Sequence, residues 1–206
     1  MQKTVDGFRL LPTTCISDAM QGLNNFDTAV KPLQAEYRIC GQAITVKMPA
    51  GDNMMVLKAM QAARPGDILV IDAANYSYRA VAGDFVIGLA QVLGLGGVVA
   101  YGTIRDVQSI KAMNFPVFCT GTTVACSRKI GAGEVNVPLA CGQATIHPGD
   151  IIIGDADGVV AVPQAEAGGI LAAAREKLLD DAGRAKRVLR DAQAAMNYIN
   201  SLIQEK

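Results

Sequence analysis

Three charged residues in the middle of the chain have types and a spacing that could support catalysis. Asp84 follows Gly83 at a predicted helix start, and the pair Arg105–Asp106 follows a short apolar strand and Gly102. An arginine binds the planar carboxylate of a 2-oxo acid through its fork of donors. Because ligand sites of α/β sheets gather at the carboxyl ends of strands, this stretch is the candidate active site.

Each of these residues also has a purely structural explanation. Asp84 could cap the helix that it begins, or the free N–H groups of Phe85 and Val86 could receive a substrate carboxylate. The pair Arg105–Asp106 could be a surface ion pair or a cap for the next helix. Taken residue by residue, both interpretations stay open.

Three other groups of residues are weaker candidates for chemistry. Lys47 could form a Schiff base, but on a half-exposed strand a solvated lysine is favoured. A metal pair of Cys119 and Cys126 lacks further ligands, since His147 is the only histidine. The glycines of 94–97 follow a helix and precede a strand, whereas a dinucleotide loop requires the reverse order. Helix termination explains these glycines better.

The elements that must position the site follow from apolar periodicity and turn signals. Strands are predicted at 37–48, 68–72, 98–101, 117–119, 151–155 and 159–162, and helices at 12–23, 51–63, 84–93, 107–113 and 164–203. A bend or break is expected at Gly183. The phrase Pro-Gly-Asp precedes two apolar runs, at 65–67 and 148–150, as the only internal repeat. The order of elements favours a layered α/β fold with a mixed sheet.

Bulk properties bound the class of protein. With 206 residues, 50% of them hydrophobic, the chain can bury one substantial core. We expect a single α/β domain at 1–163 and a helical extension at 164–206, packed on that domain or on a neighbouring subunit. Nineteen basic residues balance nineteen acidic ones, so no nucleic-acid surface is expected. No apolar run reaches membrane-span length, and the five scattered cysteines indicate a reduced, cytoplasmic protein.

The candidate stretch resembles the RraA-like/4-hydroxy-4-methyl-2-oxoglutarate aldolase family. Gly83–Asp84, an apolar helix and the phrase G-x-G-G-V-V-x-x-G-x-x-R-D match the family pattern, in which twenty residues separate an Asp from an Arg–Asp pair. Ser17–Met20, the first Pro-Gly-Asp phrase and Asp155–Pro163 also look like family landmarks. The resemblance therefore covers nearly the whole chain.

The resemblance implies a swivelling β/β/α domain with a mixed central sheet and a helical C-terminal extension, assembled as a homotrimer or a dimer of trimers. It implies a divalent metal, Mg²⁺ or Mn²⁺, held by Asp106. Arg105 would bind the keto-acid end of the substrate, and backbone N–H groups within Gly83–Val86, including those of Phe85 and Val86, would hold its carboxylate. Asp84 would act in catalysis by orienting a water on the metal.

The activity implied is that of a class II aldolase that cleaves 4-hydroxy-2-oxo-diacids to pyruvate. Oxaloacetate could lose CO₂ through the same pyruvate enolate. In the family a further acid comes from the C-terminal helical region of a neighbouring subunit, and Glu176, Asp180 and Asp181 are the candidates. The expected partners are thus a small 2-oxo acid and further copies of the chain.

One residue departs from the aldolase pattern. Tyr101 stands before Gly102, where aldolase members often carry an Asp. A tyrosine is also found in the regulator branch, whose members inhibit an endoribonuclease without catalysis. That branch typically loses the metal-binding Asp, whereas this chain keeps Asp106. The catalytic branch is therefore favoured, and the non-catalytic regulator of ribonuclease activity is the alternative.

Overall fold

The computed structural model describes residues 2–204, and it confirms the predicted mixed α/β fold. Its helices are α1 (Gln2–Phe8), α2 (Thr13–Ala19), α3 (Met54–Ala62), α4 (Asp84–Val92), α5 (Val107–Ala112), α6 (Ala167–Val188) and α7 (Ala192–Gln204). Its strands are β1 (Lys31–Pro32), β2 (Ile39–Lys47), β3 (Ile68–Asp72), β4 (Gly97–Ile104), β5 (Val117–Thr122), β6 (Glu134–Val135), β7 (Leu139–Cys141), β8 (Ala144–Ile146), β9 (Ile151–Asp155) and β10 (Gly158–Val162).

The main sheet combines parallel and antiparallel strands. Its order is β1-β5-β4-β3-β2-β9-β10, with β6 also paired to β2. The four strands β2 to β5 run parallel, whereas β9 pairs antiparallel with both β2 and β10. Since parallel strands end on the same side of the sheet, the segments after β2, β4 and β5 are brought together there. This edge holds the candidate site.

Three apolar clusters cover the sheet. Helices α3, α4 and α5 pack on one face of the parallel strands, and the β7–β8 hairpin packs on the other. Helices α1, α2 and α6 pack against β9 and β10. Every side chain of β3 is buried, which explains its uninterrupted run of apolar residues before Asp72.

The repeated Pro-Gly-Asp phrase is a tight turn closed by its aspartate. Asp67 accepts a hydrogen bond from Arg64 N–H at 2.8 Å. In the second copy, Asp150 accepts one from His147 N–H at 2.7 Å and a further one from Gln164 N–H at 3.0 Å. The two turns lead into β3 and β9, which lie on either side of β2. The two copies of the phrase therefore precede the two strands that pair with β2.

The C-terminal helices differ from the expectation at Gly183. The predicted break there is wrong, because α6 continues through Gly183 to Val188 and the interruption follows at 189–191. A glycine costs a helix only about 1 kcal/mol relative to alanine, which a helix of this length tolerates. Helix α6 buries Ile170, Leu171 and Ala174, whereas α7 has no buried residue. Within residues 2–204, none of the helices combines the length and the apolar character required to cross a membrane.

Candidate active site

The residues predicted to form the site line one cavity of about 170 Å³. Gly83, Asp84, Phe85 and Val86 form one side of it at the start of α4. Arg105 and Asp106 follow directly after β4 and form a second side. The remaining walls come from residues that the sequence pattern did not single out, namely Asn53, Cys126, Ser127 and Lys129.

Backbone hydrogen bonds hold the start of α4 against the end of β4. Val81 N–H donates to the carbonyl of Thr103 at 2.8 Å, and Arg105 N–H donates to the carbonyl of Ala82 at 3.1 Å. The segment before α4 thus runs as a short extra strand beside β4, with Ala82 bridged in parallel to Ile104. This pairing places Gly83 next to the Arg105–Asp106 pair.

Gly83 is the point of closest approach between these two segments. It is the N-cap of α4, and a Cβ atom built on it would lie 2.4 Å from Asp106 Oδ2 and 3.2 Å from Arg105 Nε. Any side chain would therefore displace the Asp106 carboxylate. The requirement for glycine is steric, since its backbone lies in the extended region with φ −126°.

Asp106 adopts a backbone conformation that non-glycine residues other than Asn and Asp rarely adopt. Its φ and ψ of 62° and 39° lie in the left-handed helical region, directly before α5. Its Oδ2 atom accepts a hydrogen bond from Asp84 N–H at 3.4 Å and lies 3.3 Å from Arg105 Nε. Its Oδ1 atom has no hydrogen-bond donor among residues 2–204. Such strained residues cluster at functional sites.

Side-chain carboxylates occupy the N-terminus of α4 in this structure. Besides the bond from Asp84 N–H to Asp106, the N–H of Phe85 donates to Asp84 Oδ1 at 2.7 Å. The first N–H groups of a helix have no intrahelical acceptor and carry partial positive charge. A substrate carboxylate that binds at this end would therefore have to displace the side-chain carboxylates of Asp84 and Asp106 from these N–H groups. The N–H group of Val86 is a further donor at the same end of the helix.

The far wall of the cavity is a loop held by the residues before α3. Arg128 N–H donates to the carbonyl of Gly51 at 2.7 Å, and Asn53 N–H donates to the carbonyl of Arg128 at 3.2 Å. Asp52, which is 1% exposed, accepts hydrogen bonds from Ile130 N–H and, at 3.3 Å, from Gly131 N–H. The loop is thereby fixed on both sides of Lys129.

The donor set suits a hard cation that keeps most of its waters. Asp106 offers a half-exposed carboxylate with one oxygen unoccupied, which fits Mg²⁺ or Mn²⁺ bound by one protein carboxylate and solvent. Across residues 2–204 no three His, Cys, Asp or Glu side chains converge on one point. A closed site of the zinc type, including one built on Cys119 and Cys126, is absent from that part of the chain.

Three residues considered in the sequence do not line this cavity. Lys47 is exposed and pairs in register with Glu134 of β6. Tyr101 donates its hydroxyl to Asp27 Oδ2 at 3.2 Å and packs with the cluster on the hairpin face of the sheet. Burial, followed by the contact with Asp27, raises the pKa of Tyr101. Gly94 has φ +75° directly after the last turn of α4 and ends that helix, as predicted.

Comparisons with known proteins agree with this architecture. Residues 13–161 match the model of the RraA-like family, described as Aldolase/RraA. A protein of Halalkalibacterium halodurans named "Putative 4-hydroxy-4-methyl-2-oxoglutarate aldolase" is 48% identical over 196 residues, which cover 95% of this chain and 93% of that protein.

Solved structures show the same fold. An uncharacterized protein from Pseudomonas syringae pv. tomato is 26% identical with a TM-score of 0.78, covering 92% of this chain and 91% of its own. The RNA-processing inhibitor RraA from Thermus thermophilis is 28% identical with a TM-score of 0.67, covering 74% of this chain and 92% of its own. On its sequence and its fold, the chain belongs to the RraA-like family.

Proposed function

We propose that this protein is a divalent-metal-dependent class II aldolase that cleaves 4-hydroxy-2-oxo-diacids of the 4-hydroxy-4-methyl-2-oxoglutarate type and releases pyruvate. The observation that carries the proposal is the meeting of Arg105, Asp106 and the N-terminus of α4 around one cavity. The aldolase-named relative supports the same class of reaction, since it matches almost the full chain.

Some residues of the cavity bind the substrate, and others stabilise the charge that develops or assist proton transfer. The guanidinium of Arg105 binds the oxo-acid end and places positive charge where an oxyanion develops. The N–H groups at the start of α4 hold the adjacent carboxylate in place of the side-chain carboxylates that they now bind. The Asp84 carboxylate, once released from Phe85 N–H, orients a water molecule in the cavity for proton transfer.

Asp106 would hold the divalent cation through its unoccupied oxygen. When bound there, the cation supplies Lewis-acid stabilisation of the negative charge that develops as the C3–C4 bond breaks. Loss of CO₂ from oxaloacetate produces the same charge on the same three carbons. We therefore propose oxaloacetate decarboxylation as a second activity of the site.

A neighbouring subunit would complete the site in a homotrimer or a dimer of trimers. Among the candidate acids of α6, Asp181 is engaged within its own chain by Lys177 and by Arg184, the latter at 2.7 Å. Hydrogen bonding from Lys177 lowers the pKa of Asp181. Glu176 and Asp180 are exposed and have no ion pair among residues 2–204. These two are the better candidates, and the part of region 164–206 that would contact the neighbour is then the exposed side of α6 together with α7, since Ile170, Leu171 and Ala174 pack on their own domain.

The second candidate function is non-catalytic regulation of RNA degradation. It is favoured by the fold that this chain shares with the RNA-processing inhibitor of Thermus. That match, however, leaves about a quarter of this chain unmatched. Asp106 argues against it, because a regulator has no use for a strained carboxylate with an unoccupied oxygen beside an arginine. The aldolase function is therefore placed first.

The test is a lactate-dehydrogenase-coupled assay of pyruvate release from 4-hydroxy-4-methyl-2-oxoglutarate. We expect turnover with Mg²⁺, none with EDTA, and a loss of about 100-fold or more in kcat/KM for Asp106→Ala, since the metal contributes several kcal/mol. Titration of Mn²⁺ by electron paramagnetic resonance should show weaker binding to the same variant. Asp6→Ala, a surface change on α1, is the control.

Two results would contradict the proposal. Absence of metal-dependent pyruvate from any 4-hydroxy-2-oxo acid or from oxaloacetate would exclude the aldolase. Full activity of Asp106→Ala would exclude the assigned metal ligand while leaving the reaction class intact.

A further inference from the structure

Segment 79–82 supports two walls of the cavity at once. On one side it pairs with the end of β4, which leads into the Arg105–Asp106 pair. On its other side Arg79 is bridged in parallel to Ala125, and Ala80 N–H donates to the carbonyl of Ala125 at 2.9 Å. Both walls are therefore attached to one extended segment, which leads directly into the N-terminus of α4.

The loop of the far wall, residues 125–131, is held from two directions. Its second half is bonded to the turn before α3, as described above. Its first half is bonded to segment 79–82, where the Ser127 hydroxyl also donates to the carbonyl of Ala80 at 2.6 Å. This wall loop contributes three of the residues that line the cavity, namely Cys126, Ser127 and Lys129. Its position therefore determines the shape of the cavity.

The side chain of Arg79 contacts both supports of the wall loop. Its Nη1 atom donates to the carbonyl of Cys126 at 2.8 Å. Its aliphatic part lies over Gly51 in the turn before α3, since a Cβ atom built on that glycine would lie 3.0 Å from Arg79 Cδ. The guanidinium lies 5.6 Å from the ring centroid of Tyr78.

The guanidinium charge of Arg79 strengthens its bond to the wall loop. Within residues 2–204 this guanidinium forms no ion pair, so no carboxylate there competes with the Cys126 carbonyl for it. A hydrogen bond from a charged donor is about twice as strong as one between neutral groups. Methionine at this position would keep an apolar chain over Gly51 and lose only the bond, which makes it the informative substitution.

We propose that Arg79 is a positioning residue, which joins segment 79–82, the wall loop and the turn at Gly51 and thereby holds the wall loop in place before a substrate arrives. The apparent affinity of a site falls in proportion to the fraction of molecules that have the binding-competent arrangement. Arg79 thus acts on substrate affinity and leaves the chemical step unchanged. The effect on turnover rests on the proposed function, whereas the effect on the loop does not.

Limited digestion with trypsin, followed by mass spectrometry, measures how often the wall loop opens. Arg128 and Lys129 are exposed cleavage sites within it. Loss of one charge-assisted hydrogen bond in Arg79→Met should raise the open population, and with it the rate of cleavage at these sites, by about 10- to 100-fold. Cleavage after Arg64, in the turn before β3 at the other end of the sheet, is the internal reference and should keep its rate.

Arg38→Met is the matched control variant. Arg38 also donates to a loop carbonyl, that of Leu11 at 3.4 Å, but it lies just before β2 at the opposite end of the sheet from the cavity. Its loss should leave cleavage of the wall loop unchanged. The inference is overturned if Arg79→Met is cleaved in the wall loop at the wild-type rate, or if cleavage after Arg64 rises equally, which would indicate global unfolding.

Steady-state kinetics of pyruvate release test the consequence for the reaction. Arg79→Met should raise KM by about 10-fold with kcat unchanged, because only the fraction of competent molecules falls. In Arg79→Ala, added methylguanidinium should lower KM again by donating to the Cys126 carbonyl, whereas sodium chloride at equal ionic strength should not. A fall in kcat at constant KM, or no recovery with methylguanidinium, would exclude the positioning role. If the wild type releases no pyruvate, the aldolase proposal fails and the digestion alone decides on Arg79.

Discussion

Gly83 lies so close to the Asp106 carboxylate that one methyl group should test the geometry of the cavity. In Gly83→Ala the new Cβ would lie 2.4 Å from Asp106 Oδ2, so the carboxylate must move. A displacement of about 1 Å can cost about 100-fold in rate, and we expect a loss of this size in kcat/KM for pyruvate release. Thermal unfolding followed by circular dichroism should change little.

Gly88→Ala is the matched control for this change. Gly88 lies within the same helix, and its added Cβ would meet only Met113 Cε at 3.8 Å, an ordinary contact. This variant should keep its activity and gain about 0.5–1 kcal/mol of stability, because alanine favours a helix over glycine. Equal activity of the two variants would show that the Asp106 carboxylate is not where the chemistry occurs.

The sequence could predict only those site residues that share a pattern. Asp84 and the Arg105–Asp106 pair stand at a recognisable spacing around a helix and a strand, and they meet in the structure. Asn53 and Lys129 stand in two loops far apart in the chain, with no periodicity to relate them. Their meeting depends on the Asp52 carboxylate and on backbone pairing, which no local pattern encodes. The position of Tyr101 could not be predicted for a related reason, since it depends on the strand register, which packs this side chain with the cluster on the hairpin face of the sheet.

At the level of elements, the two Pro-Gly-Asp turns should differ in their contribution to stability. Asp150 is buried and accepts two backbone hydrogen bonds, whereas Asp67 is half-buried and accepts one. We expect Asp150→Ala to lower the free energy of unfolding by about 3 kcal/mol or more and Asp67→Ala by about 1.5 kcal/mol, since each bond to a charged acceptor contributes about 1.5–3 kcal/mol and the more exposed Asp67 lies at the lower end of that range. Urea denaturation measures both, and equal losses would contradict this account of the repeat.

Helices and strands could be predicted where apolar residues form an uninterrupted run or recur with the period of a helix or of a strand. Strands β3 and β4 are buried on both faces, and their apolar runs marked them clearly. Helix α1 was not predicted, because its seven residues bury only Val5 and Phe8 and show no full apolar stripe. The continuity of α6 through Gly183 was also missed, since a single glycine weakens a long helix without ending it.

At the scale of the whole molecule, α7 presents an apolar face that its own chain does not cover. The side chains of Met196, Ile199, Leu202 and Ile203 are about half exposed or more. If α7 packs on a neighbouring subunit, as the trimer proposal requires, the double variant Ile199→Glu and Ile203→Glu should reduce the oligomer mass measured by light scattering. Burial of each such side chain contributes about 1.5–3 kcal/mol, so the loss should be large.

The control for this variant is Ser201→Glu, which adds a charge on the opposite side of the same helix. It should leave the mass unchanged. No residue of helix α7 is fully buried in its own chain, so both variants should keep the far-ultraviolet circular dichroism of the wild type. An unchanged mass in the double variant would exclude α7 from the subunit contact.

The hydrogen bonds of Asp52 also determine how much of the chain must be synthesised before the cavity can form. A chain leaves the ribosome with its N-terminal part first, and Asp52 is bonded to N–H groups that lie 78 and 79 residues further on. A nascent chain that stops short of Ile130 therefore holds Arg105 and Asp106 but not the wall opposite them. The cavity therefore cannot assemble until that loop has left the ribosome, however early Arg105 and Asp106 emerge.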